Sequence, residues 1–171
     1  PIPTTLLYSQ AYGNGSRIHT NSWGFPGTFG DYSIDSWYVD DFMWNNKDIL
    51  ILFAAGNSGS STNTTTTPST ARNCLTVGST NNGRDNSSNP LNINQIVSSS
   101  SRGSTDDNRT KPDVVAPGRY ILSIRSSNAT SDPCPSYGSY TDNNYTYCGG
   151  TSMSTPLTAG FAALVRDYYV D

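Results

Sequence analysis

The chain has 171 residues, a formal net charge of −3 and 13% charged residues. This length suits one domain with a buried core, and we treat residues 1–171 as a single domain. So few charges, with no basic stripe, argue against nucleic acid or an anionic membrane surface as a partner. The longest apolar run, Ile49–Ala55, is far too short to span a bilayer. Because no signal peptide is present and residue 1 is proline, we expect a processed chain or a piece of a longer one.

Short apolar runs alternate with helical patterns, which is typical of an α/β fold with a mostly parallel sheet flanked by helices. The first run predicts a strand over Arg17–Ser22, and the next segment predicts a helix over Tyr32–Asn46 with Asp31 as its N-cap. Ile49–Ala55 is continuously hydrophobic, as expected for a central strand covered on both faces. The remaining elements are two strands and a final helix: Cys74–Gly78, Tyr120–Ile124 and Ser152 to about Tyr169.

Three long polar loops, 58–69, 81–94 and 126–147, separate these elements and indicate functional loops or glycosylated insertions. The chain has few lysines and six N-x-S/T sequons, which together predict a secreted glycoprotein; the sequons are at Asn14, Asn63, Asn86, Asn108, Asn128 and Asn144. Cys134 and Cys148 flank the last loop and could form a disulfide, worth about 3 kcal/mol in the chain-entropy description. Cys74 lies in an apolar run and is predicted to be a buried thiol, although an odd cysteine leaves the pairing a hypothesis.

The run Gly149–Pro156 places a serine, Ser152, at the start of the last predicted helix, directly after a double-glycine turn. At that position unpaired backbone N–H groups and the positive end of the helix dipole can receive a developing anion. The glycines let a substrate backbone approach without a Cβ in the way. An ordinary serine N-cap would give the same local pattern, so the role of Ser152 depends on the rest of the chain.

Two further segments follow predicted strands. Asn57 comes directly after the buried strand, at the edge where open parallel sheets form their active sites, and its NH₂ group suits an oxyanion donor. A turn asparagine with left-handed dihedral angles would look the same. The run Ser22-Trp23-Gly24 could pair with an extended peptide, or it could simply be a strand followed by a turn.

Taken together, four segments resemble the subtilisin-like serine peptidases and occur in that family's order: Ser22–Gly24, Ala54–Asn57, Lys111–Gly118 and Gly150–Pro156. Two stretches, Ile18–Gly24 and Ala163–Arg166, look most like the large extracellular subtilases that carry a β-sandwich after the catalytic domain. The resemblance runs from about Arg17 to the last residue. It implies the C-terminal portion of one subtilase catalytic domain, with a sheet that is incomplete because the N-terminal strands are absent.

The resemblance implies a role for each matched residue. Ser152 would be the nucleophile, and its backbone N–H and the Asn57 side chain would hold the oxyanion. One wall of the main specificity pocket would come from Ala54, Ala55 and Gly56. The other wall, and an edge that pairs with an extended polypeptide substrate, would come from Ser22, Trp23 and Gly24. Because these residues are uncharged and mostly small, we expect an open pocket that does not select a basic side chain.

The family also uses an aspartate and a histidine from upstream motifs, and this chain contains neither motif. The single histidine, His19, lies where the family places no catalytic base, so we predict a structural role for it. Without upstream strands, the strand ending at Trp23 would be an uncovered edge. We therefore expect a partner: the missing N-terminal half of the catalytic domain, or another chain that covers this edge.

Two functions remain open at this point. The first is a fragment of a secreted serine endopeptidase that needs its aspartate and histidine from upstream sequence. The alternative is a non-catalytic, glycosylated extracellular structural or assembly protein derived from a subtilase. The retention of both Ser152 and Asn57 favours the enzyme. Family members often bind calcium, but no carboxylate cluster here has ligand-like spacing, so we assign no metal and no cofactor.

Overall fold

The computed structural model describes residues 4–170. Its elements in chain order are α1 (Thr4–Gly13), β1 (Ile18–Asn21), β2 (Phe25–Phe29), α2 (Ile34–Asn45), β3 (Leu50–Ala54), β4 (Thr66–Thr67), β5 (Leu75–Asn81), β6 (Val114–Arg119), β7 (Ile121–Ile124), a 3₁₀ turn (Pro135–Tyr137), β8 (Tyr145–Cys148) and α3 (Thr151–Val170).

A four-stranded parallel sheet forms the centre of the fold, in the order β1-β3-β5-β6. Helices cover both of its faces, so the predicted α/β class with a mostly parallel sheet is confirmed. Since all four strands run the same way, their carboxyl ends meet at one edge of the sheet. This edge carries the segments that follow β1 and β3.

The side chains of β3 alternate between the two layers. Ile51 and Phe53 pack against Tyr8 of α1 and Val39 of α2, and all four are fully buried. Leu52 points to the opposite face, where it joins Val77 of β5 and Ala159 of α3. Burial on both faces explains why this strand is a continuous apolar run rather than an alternating one.

The α2 helix differs from its prediction at the first turn. It begins at Ile34 rather than Tyr32, and its N-cap is Ser33, whose Oγ accepts a hydrogen bond from the Ser36 amide at 3.3 Å. Asp31 is therefore not the cap. Serine and aspartate are both good N-caps, so composition alone does not distinguish them.

The strand predicted over Tyr120–Ile124 exists as β7, but it lies outside the parallel sheet. It pairs with β8 in an antiparallel ribbon, with Ile121 opposite Cys148. The fourth parallel strand is instead β6, which the sequence analysis missed because Pro117 and Gly118 interrupt its pattern. A proline is compatible with β6 because this strand lies at the edge of the sheet.

The α3 helix presents small residues to the sheet and large ones to solvent. Its buried residues are Thr151, Ser154, Thr155 and Ala159. In contrast, the large apolar residues Phe161 and Leu164 of the same helix are each 68% exposed. The small buried side chains allow a close approach of the helix axis to the strands. Because Phe161 and Leu164 are exposed, they contribute little to packing within residues 4–170.

The threonine-rich part of the 58–69 loop is buried although it is polar. Residues 64–71 are all buried, and their backbone is held by bonds such as Thr66 N–H to the Ala55 carbonyl at 3.1 Å and Gly30 N–H to the Thr65 carbonyl at 2.9 Å. This segment supports the floor of the cleft described below. Among residues 4–170, no helix combines the length and apolar character needed to cross a bilayer.

Candidate active site

A cleft of about 250 Å³ opens at the carboxyl ends of β1 and β3. It is lined by most of the residues that the sequence analysis selected: Ser22, Trp23, Gly24, Ala54, Gly56, Asn57 and Ser152. Four further residues complete the lining: Pro26, Ser58, Thr66 and Thr151. Segments separated by up to 130 positions in the sequence thus meet at one surface.

Ala55 is the exception among the predicted pocket residues, because it does not line the cleft. It is fully buried, its amide donates to the Val77 carbonyl at 3.0 Å, and its own carbonyl accepts from Thr66. Ala55 therefore continues the sheet hydrogen bonding beyond β3 and supports the wall from behind. Alternation along an extended chain explains why its side chain points away from the cleft while the residues on either side line it.

Ser152 lies in the first turn of α3, one residue after its start, and its side chain is partly exposed. The preceding turn is held in place where the Gly150 amide donates to the Gly118 carbonyl at 2.7 Å. Gly150 has φ +136°, a conformation that side chains with a Cβ rarely adopt. At the start of α3 the Thr151 amide donates to Asn57 Oδ1 and the Met153 amide donates to the Gly150 carbonyl, so the Ser152 amide is the donor to consider for an anion beside Ser152.

A proline inside α3 links the helix to the end of β1. Pro156 has no N–H, so the carbonyl of Ser152, four residues earlier, lacks its usual helical donor. The hydroxyl of Ser22 takes that place and donates to the Ser152 carbonyl at 3.0 Å. The segment after β1 is thus fastened directly to the backbone of Ser152.

The Asn57 side chain is fixed through its oxygen. Its Oδ1 accepts from the Thr151 amide at 2.9 Å and from the Thr151 hydroxyl at 3.2 Å. The Thr151 hydroxyl in turn accepts from the Gly56 amide at 3.3 Å. Because the oxygen end is held at the start of α3, the NH₂ end of Asn57 is the part left to donate at the cleft.

Trp23 is held by contacts with the sheet beneath it. Its ring packs edge-on against Phe53, with centroids 5.3 Å apart, and its indole N–H donates to Asn21 Oδ1 at 3.2 Å. Asn21 is buried, and its Nδ2 donates to the Leu52 carbonyl at 3.1 Å and to His19 Nδ1 at 3.0 Å. The Asn21 side chain therefore links Trp23 and His19 to the backbone of β3.

His19 is half-buried on the α1 side of the sheet and does not line the cleft. Its ring meets Tyr8 edge-on with centroids 5.2 Å apart. Burial lowers the pKa of His19 below its usual value of 6.5, so the neutral ring is favoured. This position supports the structural role predicted for His19.

The Lys111–Gly118 segment leads into β6 and forms most of that strand, and it does not line the cleft. The Lys111 ammonium is buried and lies 2.7 Å from Asp113 Oδ2, which also accepts from the Thr76 amide at 2.7 Å. Lys111 donates in addition to the Cys74 carbonyl at 3.1 Å. Cys74 is a buried free thiol, as predicted, and burial raises its pKa to about 11.

Cys134 and Cys148 form a disulfide, so the predicted pairing is present. The six sequon asparagines are all exposed, at Asn14, Asn63, Asn86, Asn108, Asn128 and Asn144. The side-chain Nδ2 of Asn63 donates to Asp106 Oδ1 at 2.9 Å. Over the part of the chain that the structure describes, no three His, Cys, Asp or Glu side chains lie close enough together to hold a metal ion.

The protein-family model of the subtilase family matches residues 4–171 of the chain. The chain belongs to the subtilase family. The serine protease AprX of Bacillus subtilis is 38% identical to this subtilase over 117 residues, which cover 68% of the chain and 26% of AprX. The serine protease/ABC transporter B family protein tagD of Dictyostelium discoideum is 30% identical over 244 aligned positions, covering 100% of the chain and 13% of tagD.

Solved structures of similar fold include two proteases. The patellamide maturation protease PatA has a TM-score of 0.68 at 24% identity, covering 99% of this subtilase and 52% of PatA. The S41 psychrophilic protease has a TM-score of 0.63 at 26% identity, covering 95% of this chain and 47% of that one. The subtilase chain thus spans about half of the solved structures that it matches, and a smaller share of AprX and tagD.

Sequence reasoning missed two residues that shape the site. The sequence pattern predicts that the helix begins at Ser152, but α3 begins at Thr151, whose amide and hydroxyl bind Asn57. Thr66 lies in a polar run that predicts a surface loop, yet it is buried and lines the cleft. The available signal was the Thr67-Pro68 dipeptide, which is typical of an extended or turning segment rather than a flexible loop.

Proposed function

We propose that this subtilase chain carries the nucleophile and the oxyanion site of a secreted serine endopeptidase. Ser152 is the nucleophile, and the Asn57 NH₂ group and the Ser152 amide are the oxyanion donors. The observation that carries the proposal is that Ser152 and Asn57, 95 positions apart, line one cleft and are joined through Thr151. Family membership supports hydrolysis of peptide bonds as the reaction.

In this mechanism the Ser152 Oγ attacks the scissile carbonyl carbon and gives its proton to a base. The carbonyl oxygen becomes an anion in the tetrahedral intermediate, where hydrogen bonds from Asn57 and Ser152 stabilise it. Collapse of the intermediate breaks the C–N bond, and the amine leaves with the proton from the base. Water then repeats the sequence on the acyl-enzyme and releases Ser152.

The cleft suits an extended polypeptide substrate with an uncharged side chain. Its lining residues carry no ionisable group apart from the serine and threonine hydroxyls. Trp23 supplies an apolar wall, while Ala54 and Gly56 leave room opposite it. The backbone of Ser22–Gly24, just beyond β1, is the edge with which the substrate backbone would pair.

The base and its orienting carboxylate must come from outside this chain. The chain has one histidine, and His19 packs on Tyr8 away from the cleft. We propose that the remaining half of a subtilase catalytic domain supplies both groups and covers β1, which is an edge strand of the four-stranded sheet. Denaturing electrophoresis and mass spectrometry of the active protein test this, because a lone 18.4 kDa species would contradict it.

Exposure of all six sequon asparagines and the Cys134–Cys148 disulfide support secretion. We expect glycans on several of these asparagines. Enzymatic deglycosylation followed by peptide mass mapping would detect them as asparagine-to-aspartate conversions. Unmodified asparagine at all six sites in the natural protein would argue against passage through the secretory pathway.

The central experiment is labelling of the complete protein with a peptidyl phosphonate, which reacts with an activated serine. We expect covalent label on Ser152, with none in Ser152→Ala and full labelling in Ser60→Ala, a matched change at an exposed loop serine. Peptide mapping identifies the labelled residue. A correctly folded protein that takes no label would contradict catalysis and favour the non-catalytic, glycosylated structural or assembly protein instead.

A further inference from the structure

The loop closed by the Cys134–Cys148 disulfide reaches the turn that precedes Ser152. The β7–β8 ribbon carries this loop, and β8 ends at Cys148, followed at once by Gly149, Gly150 and α3. Only three residues, 149–151, separate the disulfide from Ser152. Any displacement of the end of β8 is therefore passed on to the turn.

Within this loop, the Tyr137 ring lies directly against the backbone of Gly149. A Cβ added at Gly149 would overlap the ring carbons of Tyr137 and its hydroxyl oxygen. Gly149 does not have a positive φ, so an alanine is conformationally allowed there and the ring alone excludes it. A glycine is consequently favoured at position 149 because the Tyr137 ring packs closely on the backbone, and not because the turn needs a left-handed conformation.

Tyr137 is itself held on two sides. It ends the 3₁₀ turn that follows Cys134, and its amide donates to the Cys134 carbonyl at 3.0 Å. Its ring meets Tyr120 edge-on, with centroids 5.5 Å apart. The disulfide therefore ties together the two partners of the contact: Tyr137 lies three residues after one cysteine, and Gly149 lies one residue after the other.

The turn under this ring is the one that positions the cleft residues. Gly150 packs against the Asn57 side chain, since a Cβ there would come within 3.2 Å of both Asn57 Nδ2 and Oδ1. The Gly150 carbonyl also accepts from the Met153 amide at 3.0 Å. Outward movement of Gly149 would release Gly150 and disturb Asn57 and Ser152 together.

We infer that Tyr137 is a positioning residue for the Ser152 turn, clamped onto Gly149 by the Cys134–Cys148 loop. The inference rests on the proposed function, because it concerns the alignment of that same serine. Misplacement of a reacting group by an ångström can cost on the order of 100-fold in rate, so a loosened turn should act on turnover. Substrate binding in the pocket, to which Tyr137 does not contribute, should change little.

The test compares Tyr137→Ala with Tyr140→Ala in the complete protein. Tyr140 belongs to the same loop but packs on Tyr145 and Tyr147 instead of Gly149. We expect Tyr137→Ala to lower kcat and the phosphonate labelling rate by about 10- to 100-fold with KM nearly unchanged. Tyr140→Ala should match the natural protein, and Tyr137→Phe, which keeps the ring, should retain most of the activity.

A double-mutant cycle tests the same contact by changing its other partner, Gly149. Gly149→Ala should lower kcat because its Cβ meets the Tyr137 ring, and this loss should shrink when Tyr137 is also alanine. Independent effects of the two changes would contradict the contact. The cycle also gives a result if Tyr137→Ala folds poorly by itself, since Gly149→Ala with and without Tyr137→Leu measures the same coupling.

Hydrogen exchange separates this inference from the proposed catalysis. Amides of residues 149–153 should exchange faster in Tyr137→Ala than in Tyr140→Ala, whether or not the protein reacts with the phosphonate. Equal exchange and equal labelling in the two variants would overturn the positioning role. Faster exchange in Tyr137→Ala, together with a natural protein that takes no label, would instead uphold the clamp and contradict the endopeptidase proposal.

Discussion

Asn57 follows β3 and His19 lies in the neighbouring strand β1, and the two polar residues have opposite surroundings. Asn57 lies three residues beyond the carboxyl end of β3, is exposed, and lines the cleft. His19 lies inside β1, with its ring against Tyr8 in the core. The comparison shows that a residue beyond the end of a strand can reach a substrate, whereas one within the strand is held by the layer packed against it.

The largest expected effect is at Asn57. Asn57→Ala and Asn57→Asp both remove the NH₂ donor, and loss of one oxyanion donor lowers turnover by about 10²–10³, a magnitude known from subtilisin itself. Steady-state kinetics on a peptide substrate would measure it. The two variants should differ in stability, because aspartate keeps an acceptor for the Thr151 amide and alanine does not.

An Asn57→Asp variant with undiminished turnover would contradict the role of Asn57 as an oxyanion donor. Asn57 would then only anchor the start of α3. A free energy of unfolding about 1 kcal/mol lower in Asn57→Ala than in Asn57→Asp, measured by urea denaturation, would show that the same side chain also has that anchoring function.

A smaller effect is expected at Ser22. This residue directly follows β1, three positions after His19, so the two residues compare the end of one strand with its interior. Ser22→Ala removes the hydroxyl that donates to the Ser152 carbonyl, and Pro156 offers no substitute donor. We expect a loss of about 1 kcal/mol in the free energy of unfolding and a severalfold loss in kcat. Chemical denaturation and kinetics on the same samples would show both.

Ser22→Thr serves as the conservative control, because it keeps the hydroxyl. It should recover most of the stability that Ser22→Ala loses. Equal losses in the two variants would mean that the small side chain of Ser22, and not its hydrogen bond, is what this position requires.

Much of the fold could be predicted because buried segments are recognisable in the sequence by their apolar residues. The apolar run 49–55 identifies a strand covered on both faces, and the glycine-flanked Asn57 marks the end of that strand. The position of Ser152 is legible because a double glycine, a hydroxyl residue and a helical repeat occur together. These signals are local, so a single sequence is sufficient to find them.

The remaining features depend on tertiary contacts. β6 contains a proline and a glycine, which only its place at the sheet edge explains. The buried threonines near Thr66 look like a surface loop, because their backbone partners are distant in the sequence. The large apolar residues Phe161 and Leu164 of α3 are exposed, whereas small residues such as Ala159 occupy its buried side. Pattern alone cannot show which side of a helix meets a neighbour.

The smallest expected effect concerns His19 and appears as a dependence of stability on pH. The folded-state pKa lies below the ordinary value of 6.5 because burial favours the neutral ring. The unfolded chain therefore binds a proton more readily below about pH 6.5, and stability should fall as the pH is lowered from there towards the depressed folded pKa.

His19→Gln should weaken this dependence, whereas Thr20→Ala, at an exposed neighbour on β1, should preserve it. Urea unfolding between pH 7.5 and about pH 5 measures the slope. Since His19 is outside the cleft, kcat at pH 7.5 should stay close to that of the natural protein, and a loss as large as that of Asn57→Ala would instead place His19 in catalysis.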